Sequence, residues 1–249
     1  MRQSNVYVVV YAAILTVVCG VLLAATAIGL KPKQQENIEL ERKKNILTAV
    51  GLASEGTDIA GVYNSQVNAY VVDAKGNKVE GMVVTDVDVA MEYKKPAAER
   101  LLPVYEIKSA TNPEEIVNYV LPLYGYGLWD NIWGYVALEK DLNTIKGVTF
   151  DHRGETAGLG ARIATEEIQE RYVGKKIYST EGELVSVTIM KGENGGGERS
   201  LEAYKGKDHQ IDGMSGATIT GKGVNEMLSD YLKMYDSFFK SNQSSISSL

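Results

Sequence analysis

Residues 212–218 read Asp212-Gly213-Met214-Ser215-Gly216-Ala217-Thr218, and the rest of the chain is organised around this stretch. Gly213 and Gly216 permit a positive φ and leave space for another group to approach the backbone. The stretch ends on a hydroxyl, that of Thr218, which follows the small side chain of Ala217. The sequence therefore predicts a turn that presents a hydroxyl to its surroundings.

An amphipathic helix is predicted directly after this turn. Its apolar face recurs at three- and four-residue spacing over about four to five turns and consists of Val224, Met227, Leu228, Tyr231, Leu232, Tyr235 and Phe238. Thr218 is thus expected just before a helix N-terminus, where free N–H groups and the helix dipole favour an anion such as phosphate. Thr220 is expected to be the N-cap residue. An ordinary loop with its cap is the alternative interpretation of the same residues.

The stretch resembles the D-x-x-[ST]-G-A-T motif of bacterial membrane flavoproteins, and every position of that motif is present. In that family a flavin transferase attaches FMN, through its phosphate, to the final Thr of the motif. The resemblance implies that Thr218 carries FMN as a phosphoester and that Asp212, Ser215, Gly216 and Ala217 surround the cofactor. Residues 212–218 are called the signature loop below.

Composition excludes several other classes of protein. The chain has 249 residues, enough for one medium or two small domains. Its net charge of −6 and the lack of a basic patch argue against nucleic acid as the main partner. The single cysteine, Cys19, allows no intramolecular disulfide and no cysteine-ligated cluster. His152 and His209 lack the spacing of metal ligands, so no metal site is expected.

A single membrane anchor is predicted over residues 1–30. Val6–Leu30 is a run of 25 residues without a charge, long enough to span a bilayer with some tilt. A cleaved signal peptide would have a shorter apolar core, of about 7–15 residues, after a positive region, whereas only Arg2 precedes this run. A lipoprotein site is rejected because Val18, not a small residue, precedes Cys19.

The orientation of the anchor follows from two signals that conflict. Basic residues after the run outnumber those before it, which would put the C-terminal part in the cytoplasm; they are Lys31, Lys33, Arg42, Lys43 and Lys44. The family resemblance implies the opposite orientation, with a single-pass protein in the bacterial inner membrane and its soluble part in the periplasm. We follow the resemblance, because long domains can be translocated despite their charges.

The expected fold class is α+β, mainly antiparallel sheet with flanking helices, since strands do not alternate regularly with long helices. Predicted helices cover Glu36–Val50, with Gly51 as C-cap, and the region near Thr165–Tyr172. Predicted strands are Val67–Val72 with Met82–Val87 as a hairpin, Val104–Ile107, Val136–Leu138, Lys146–Phe150, and a pair formed by Lys176–Ser179 and Leu184–Met190. Gly192–Gly197 is interpreted as a flexible connection.

The expected regions are an intervening α+β part over 31–120, a covalent FMN-binding domain over 121–240 and a flexible tail over 241–249.

Two further segments carry the resemblance. Gly127-Leu128-Trp129 and Gly134-Tyr135 resemble the GLW…GY element found in the C subunit of the bacterial Na+-translocating NADH:quinone reductase. Core filling is the ordinary interpretation of Trp129 and Trp133; the functional interpretation is an apolar wall for a planar ring, for which Gly127 and Gly134 clear space. By the resemblance, Leu128 and Trp129 belong to the flavin site, whereas Trp133 is expected to be structural.

The second segment is Glu155-Thr156-Ala157-Gly158-Leu159-Gly160, which is similar to the E-T-P-G-L-G sequence of that family, with Ala157 in place of proline. An ordinary loop is the alternative interpretation. The resemblance implies that Glu155, Thr156, Leu159 and Gly160 lie beside the isoalloxazine. The substitution at Ala157 leaves the backbone less restricted than a proline would.

The implied function is electron relay rather than substrate turnover, and no nucleophile–base pair stands out in the sequence. By the resemblance, the chain accepts single electrons from an iron–sulfur centre held by membrane subunits and passes them to a covalent FMN in the B subunit of the reductase. It would not be catalytic alone, and its uncharged span offers no ion path. The alternatives are the G subunit of an Rnf-type electron-transport complex, a free-standing membrane-anchored flavin module, and a structural protein whose motif is never modified.

Overall fold

The first element of the computed structural model, which describes residues 4–246, is a single long helix, α1, from Asn5 to Ala49. Among the described residues, α1 is the one helix long and apolar enough to cross a membrane, and its large apolar side chains up to Leu30 are exposed. A separate helix beginning at Glu36 was expected. The predicted helix over Glu36–Val50 is confirmed as far as Ala49, but it does not begin at Glu36, because α1 continues without a break through Pro32. It ends before Gly51, whose φ of 76° suits a C-cap.

Residues up to Arg42 form one compact unit, and residues from Lys43 onward form a second. The second unit is built on an antiparallel sheet whose strand order, β1-β2-β3-β4-β5, is the chain order. Its strands are β1 Val67–Val72, β2 Leu102–Lys108, β3 Ile116–Tyr126, β4 Asn131–Glu139 and β5 Ile145–His152. The residues on either side of position 120 therefore contribute strands to one sheet.

Shorter elements complete the second unit. The helices are α2 Ile59–Gln66, α3 Val89–Lys94, α4 Glu166–Gln169, α5 Gly197–Ala203 and α6 Thr218–Ile246. Two short parallel strands, β6 Thr188–Ile189 and β7 Gln210–Ile211, form a separate ladder. Helical turns with 3₁₀ geometry cover Val84–Asp86, Ala97–Glu99, Gly160–Ala164 and Glu170–Tyr172. The predicted α+β class, with an antiparallel sheet, helices and one apolar N-terminal helix, is confirmed.

The sheet buries apolar side chains on both faces. Successive residues of a strand point to opposite faces, and β3 shows this alternation: Leu121 packs in the cluster that contains Leu228 of α6. Its neighbour Val120 packs in the cluster that contains Ile46 and Ala49. The predicted apolar face of α6 is confirmed, because every residue named for it is buried. Helix α6 thereby covers one face of the sheet and sets the place of the signature loop that precedes it.

One predicted strand pairing is wrong, and a second is confirmed only in part. Strand β1 was expected to pair with Met82–Val87, but it pairs with β2 over six consecutive residues. The segment between them forms only one bridge to β1, at Lys78, and Met82–Val87 contains a 3₁₀ turn. The second expected pair, Lys176–Ser179 with Leu184–Met190, is reduced to one bridge between Tyr178 and Leu184, since Thr188–Ile189 pairs with β7.

Candidate cofactor site

The start of the signature loop is fixed by buried contacts. Asp212 is buried, and its carboxylate accepts hydrogen bonds from the backbone N–H of Asn194 (2.8 Å) and from its side-chain amide (2.9 Å). Gly213 lies so close to the carbonyl oxygens of Met190 and Gly192 that a side-chain carbon there would overlap both. Asp212 and Gly213 are therefore both required by the packing of the loop against residues 190–194.

The end of the signature loop turns outward. The exposed Ser215 donates its N–H to Oε2 of Glu193 at 3.0 Å. Gly216 has a φ of 73°, and the side chain of Leu159 lies where a side chain at Gly216 would be. Thr218 is the first residue of α6, and it is exposed. The loop therefore places the hydroxyl-bearing residue Thr218 at a helix N-terminus, as predicted.

Thr220 has a different place from the one expected. The helix begins at Thr218, so Thr220 lies inside its first turn and is not the N-cap; that expectation is wrong. Its buried hydroxyl instead donates to Oε2 of Glu155 at 2.5 Å. Met214 and Ala217 are buried on either side of the turn, and they anchor the loop while Ser215 remains outside.

Glu155 joins three separate segments at the site. Its second carboxylate oxygen, Oε1, accepts the backbone N–H of Trp129 at 2.9 Å, while Oε2 binds Thr220 of α6. A side-chain carbon at Gly127 or at Gly160 would overlap this carboxylate. The buried Glu155 therefore holds the β3–β4 turn, its own loop and α6 together.

The two glycines near the tryptophans serve the protein's own packing. Gly127 leaves room for Glu155, as described above, and Gly134 on β4 leaves room for the carbonyl oxygen of Thr149 on β5. The expectation that these glycines clear space for a ring is therefore wrong. Trp133 is half-buried and lines a separate cleft with Lys44 and Thr48.

Large apolar side chains are exposed around the signature loop. The exposed fractions are 45% for Leu128, 68% for Trp129, 41% for Leu159 and 57% for Ile219. Single exposed apolar residues need no explanation, but neighbouring ones on segments tied together are typical of a ligand surface. Leu128 and Trp129 belong to the segment tied to Glu155, and Leu159 packs at Gly216. Leu128, Trp129 and Leu159 are the exposed residues that were predicted to contact a planar ring.

The loop that bears Leu159 is ordered without the proline of the family motif. The carbonyl oxygen of the exposed Thr156 accepts the N–H groups of Leu159 and Ala161, both at 3.1 Å. Gly158, with a φ of 76°, permits the turn between them. Hydrogen bonding thus provides the backbone order that a proline at Ala157 would have supplied.

A cleft of about 580 Å³ borders Thr218. Its lining residues are Thr188, Ile189, Met190, Lys191, Tyr204, Met214, Ala217, Thr218, Ile219, Gly221, Lys222 and Asn225. Lys191 and Lys222 bring positive charge to this space, and Lys222 also lies 3.6 Å from a carboxylate oxygen of Glu226. Lys205 and Lys207, which precede the signature loop in the chain, contact other groups. Lys205 lies 3.4 Å from a carboxylate oxygen of Glu202, and Lys207 lies over the ring of Tyr204. An exposed hydroxyl at a helix N-terminus beside two lysines fits a phosphate ester.

A cluster of four charged residues behind the signature loop was not found from the sequence. Arg162 and Arg171 share Glu193, with N–O distances of 2.6 and 2.9 Å. Both also contact Glu167, at 3.3 and 2.9 Å. Hydrogen bonds from Arg162, supported by Arg171, lower the pKa of Glu193 to about 2.

The reason for missing this cluster is its spacing. Glu193 lies in Gly192–Gly197, and glycine richness indicated only a flexible connection. Its partners precede it by 31 and 22 residues, and no local pattern reports such a distance. The stretch is therefore a contact segment of the signature loop and not a simple connection.

The structure brings together most of the residues predicted for the site. Contacts join the segments that hold Leu128, Trp129, Glu155, Thr156, Leu159 and Gly160 to the signature loop and α6. Asp212 lies apart from the exposed face, because its carboxylate is turned to Asn194. The cofactor site residues as a set remain a prediction.

Comparisons with known proteins agree with this geometry. The model of the family "FMN-binding domain" matches residues 127–233, which include the Trp129, Glu155 and Thr218 segments. The C subunit of the Na(+)-translocating NADH-quinone reductase from Haemophilus ducreyi is 36% identical over 228 residues, which cover 85% of this chain and 83% of the relative. Its counterpart from Pseudomonas aeruginosa is 32% identical, with 93% and 92% covered.

A solved structure shows the same likeness in three dimensions. The crystal structure of the C subunit of this reductase from Parabacteroides distasonis superposes with a TM-score of 0.71 at 32% identity. The match covers 84% of this chain and 96% of that one. With an FMN-binding domain that follows an apolar N-terminal helix, the chain belongs to the family of C subunits of the Na(+)-translocating NADH-quinone reductases, which are oxidoreductase complexes.

Proposed function

We propose that Thr218 carries FMN through a phosphoester bond. The observation that supports this proposal is that Thr218 is exposed and is the first residue of α6, whereas Ser215, which is also exposed, lies before the helix. Thr220 is buried and bonded to Glu155. In the proposed transfer, Oγ of Thr218 forms a bond to phosphorus, displaces the leaving group of an activated FMN donor held by a flavin transferase, and loses its proton.

The surrounding residues have roles that follow from their positions. Leu128, Trp129 and Leu159 offer exposed apolar surface that would cover one face of the ring and exclude water from it. Lys222 lies one turn into α6 and would face the phosphate from the bordering cleft. FMN supplies redox chemistry in one- or two-electron steps when bound, and contacts at the ring edge tune its potential.

We further propose that the chain relays single electrons within the reductase. It would receive them from an iron–sulfur centre held by membrane subunits and deliver them to the flavin of the B subunit. Membership of the reductase family favours this role over that of the G subunit in an Rnf-type complex. Purification with the other reductase subunits would support it, whereas isolation as a lone flavoprotein would favour the free-standing module.

The soluble unit is proposed to lie in the periplasm, with α1 as the membrane anchor. The support is the long uncharged run of α1 and the family, against the local count of basic residues. Alkaline phosphatase fused to the C-terminus should be active, and a fluorescent protein fused there should be dark. The reverse pattern would place the unit in the cytoplasm.

The attachment is tested by peptide mass spectrometry of the chain made together with the flavin transferase. Wild-type protein should yield a peptide with FMN at Thr218, Thr218→Ala should yield none, and Thr218→Ser should retain part because a hydroxyl remains. FMN on Ser215 or Thr220, or covalent flavin in Thr218→Ala, would overturn the assignment. A wild-type chain without flavin would favour a structural protein whose motif is not modified.

A further inference from the structure

The structure assigns Arg171 and Glu193 as positioning residues that fix the signature loop so that the hydroxyl of Thr218 is presented for flavin attachment. This inference deepens the proposed function and rests on it. Neither residue lies in the signature loop, and neither was indicated by the sequence pattern. Their roles follow from the contacts described next.

Arg171 holds the loop by its carbonyl groups. Nη1 of Arg171 donates to the carbonyl oxygens of Gly213, at 2.7 Å, and Asp212, at 3.4 Å. Nη2 of the same guanidinium donates to Oε1 of Glu193 at 2.9 Å. One fixed, planar group therefore connects the backbone of the loop to the carboxylate of Glu193.

Glu193 holds the loop by the backbone amide of Ser215, two residues after Gly213. Its Oε2 accepts the N–H of Ser215 at 3.0 Å and also a hydrogen bond from Arg162 at 2.8 Å. The next residue, Asn194, donates twice to the carboxylate of Asp212. The loop is thus bound on both sides of its buried Met214 by residues 193–194 and Arg171.

Burial makes these contacts effective. The side chain of Arg171 is 2% exposed and that of Glu193 is 10% exposed, so solvent screens their hydrogen bonds little. By contrast, Ser215, Gly216 and Thr218 are exposed, and an exposed turn with little packing is free to fluctuate. The pair therefore adds backbone hydrogen bonds to the anchoring that the buried Met214 and Ala217 provide.

Glu167 provides a matched control inside the same cluster. It contacts the same two arginines, Arg162 and Arg171, and its further hydrogen bond goes to the N–H of Gly197, outside the signature loop. Neutralising Glu167 removes one carboxylate charge from the cluster, as neutralising Glu193 does. Only the neutralisation of Glu193 weakens a hydrogen bond to the signature loop, the one from the N–H of Ser215.

The test compares Glu193→Gln and Glu167→Gln in the full-length chain with purified flavin transferase. The initial rate of covalent flavin incorporation is read from flavin fluorescence in denaturing gels. Glu193→Gln should slow it about 10- to 100-fold, because small misplacements of a reacting group have effects of this size. Glu167→Gln should stay within about twofold of the wild type. Arg171→Lys, which keeps the charge but loses the fork, should behave like Glu193→Gln.

A second measurement does not depend on flavin. Hydrogen–deuterium exchange of the 212–218 segment, in flavin-free chains, should be faster in Glu193→Gln than in wild type and unchanged in Glu167→Gln. Equal rates of attachment in Glu193→Gln and wild type, equal slowing in both variants, or unchanged exchange would each overturn the inference. Wild-type protein without covalent flavin would overturn the proposed function instead, and the exchange result would still decide whether Glu193 orders the loop.

Discussion

Replacement of Thr220 by valine tests the central contact of the site. The hydroxyl of Thr220 and the carboxylate of Glu155 are both buried and lie 2.5 Å apart. Valine keeps the shape and the β-branch of threonine but removes the donor, which leaves a charged oxygen without its partner. Loss of a hydrogen bond to a charged group costs about 1.5–3 kcal/mol of the free energy of unfolding. At about 2–4 °C per kcal/mol, the melting temperature should fall by about 3–12 °C.

The assay is urea and thermal unfolding of the full chain in detergent, followed by circular dichroism, with all proteins made without flavin transferase. Thr218→Val is the matched control, because Thr218 is exposed and two residues away; its unfolding free energy should change by no more than about 0.5 kcal/mol. If Thr220→Val were as stable as Thr218→Val, the Thr220–Glu155 hydrogen bond would contribute nothing, and the reasoning that Glu155 ties three segments together would be refuted.

Three further predictions concern the loop and its surroundings. Leu159→Lys should alter the flavin spectrum or midpoint potential without unfolding the chain, since Leu159 is 41% exposed; an unchanged spectrum and potential would remove Leu159 from the site. Gly213→Ala should cost about 1–3 kcal/mol of unfolding free energy in denaturant titrations, because its methyl would overlap two backbone carbonyls, whereas Gly154→Ala, which meets only an ordinary contact, should not. Glu193 has its pKa lowered from 4.5 to about 2, so the stability it contributes is present above pH 4.5 and is lost as the pH falls to about 2. The difference in unfolding free energy between wild type and Glu193→Gln should therefore shrink over that range, and a constant difference would contradict the ion pairing.

The sequence was informative where the structure follows a local rule. The apolar face of α6 obeys helical spacing, and the strands around Val136–Leu138 and Lys146–Phe150 show strand composition, so all three were found. Thr220 was misplaced because helix boundaries are set by the whole turn, and the signature loop itself supplies the first helical residue, Thr218.

Contacts between residues distant in the chain could not be predicted from helical spacing or strand composition. The pairing of β1 with β2 skips Met82–Val87, whose composition had also suited a strand. The role of Glu193 depends on arginines more than twenty residues earlier. The resemblance located Glu155 at the site, yet only the structure shows that its carboxylate binds Trp129 and Thr220.

The position of α6 after all five sheet strands has a consequence for biosynthesis. The sheet strands are neighbours in chain order, so each can pair as soon as the next one is made. The proposed attachment residue, Thr218, in contrast, begins α6, which follows all five sheet strands in the chain and packs on β3. A ribosome must therefore have made and released α6 as well as the sheet before a site containing both Trp129 and Thr218 can exist. A nascent chain that lacks α6 offers no such site, so the proposed modification at Thr218 would be restricted to molecules in which α6 already packs on the sheet.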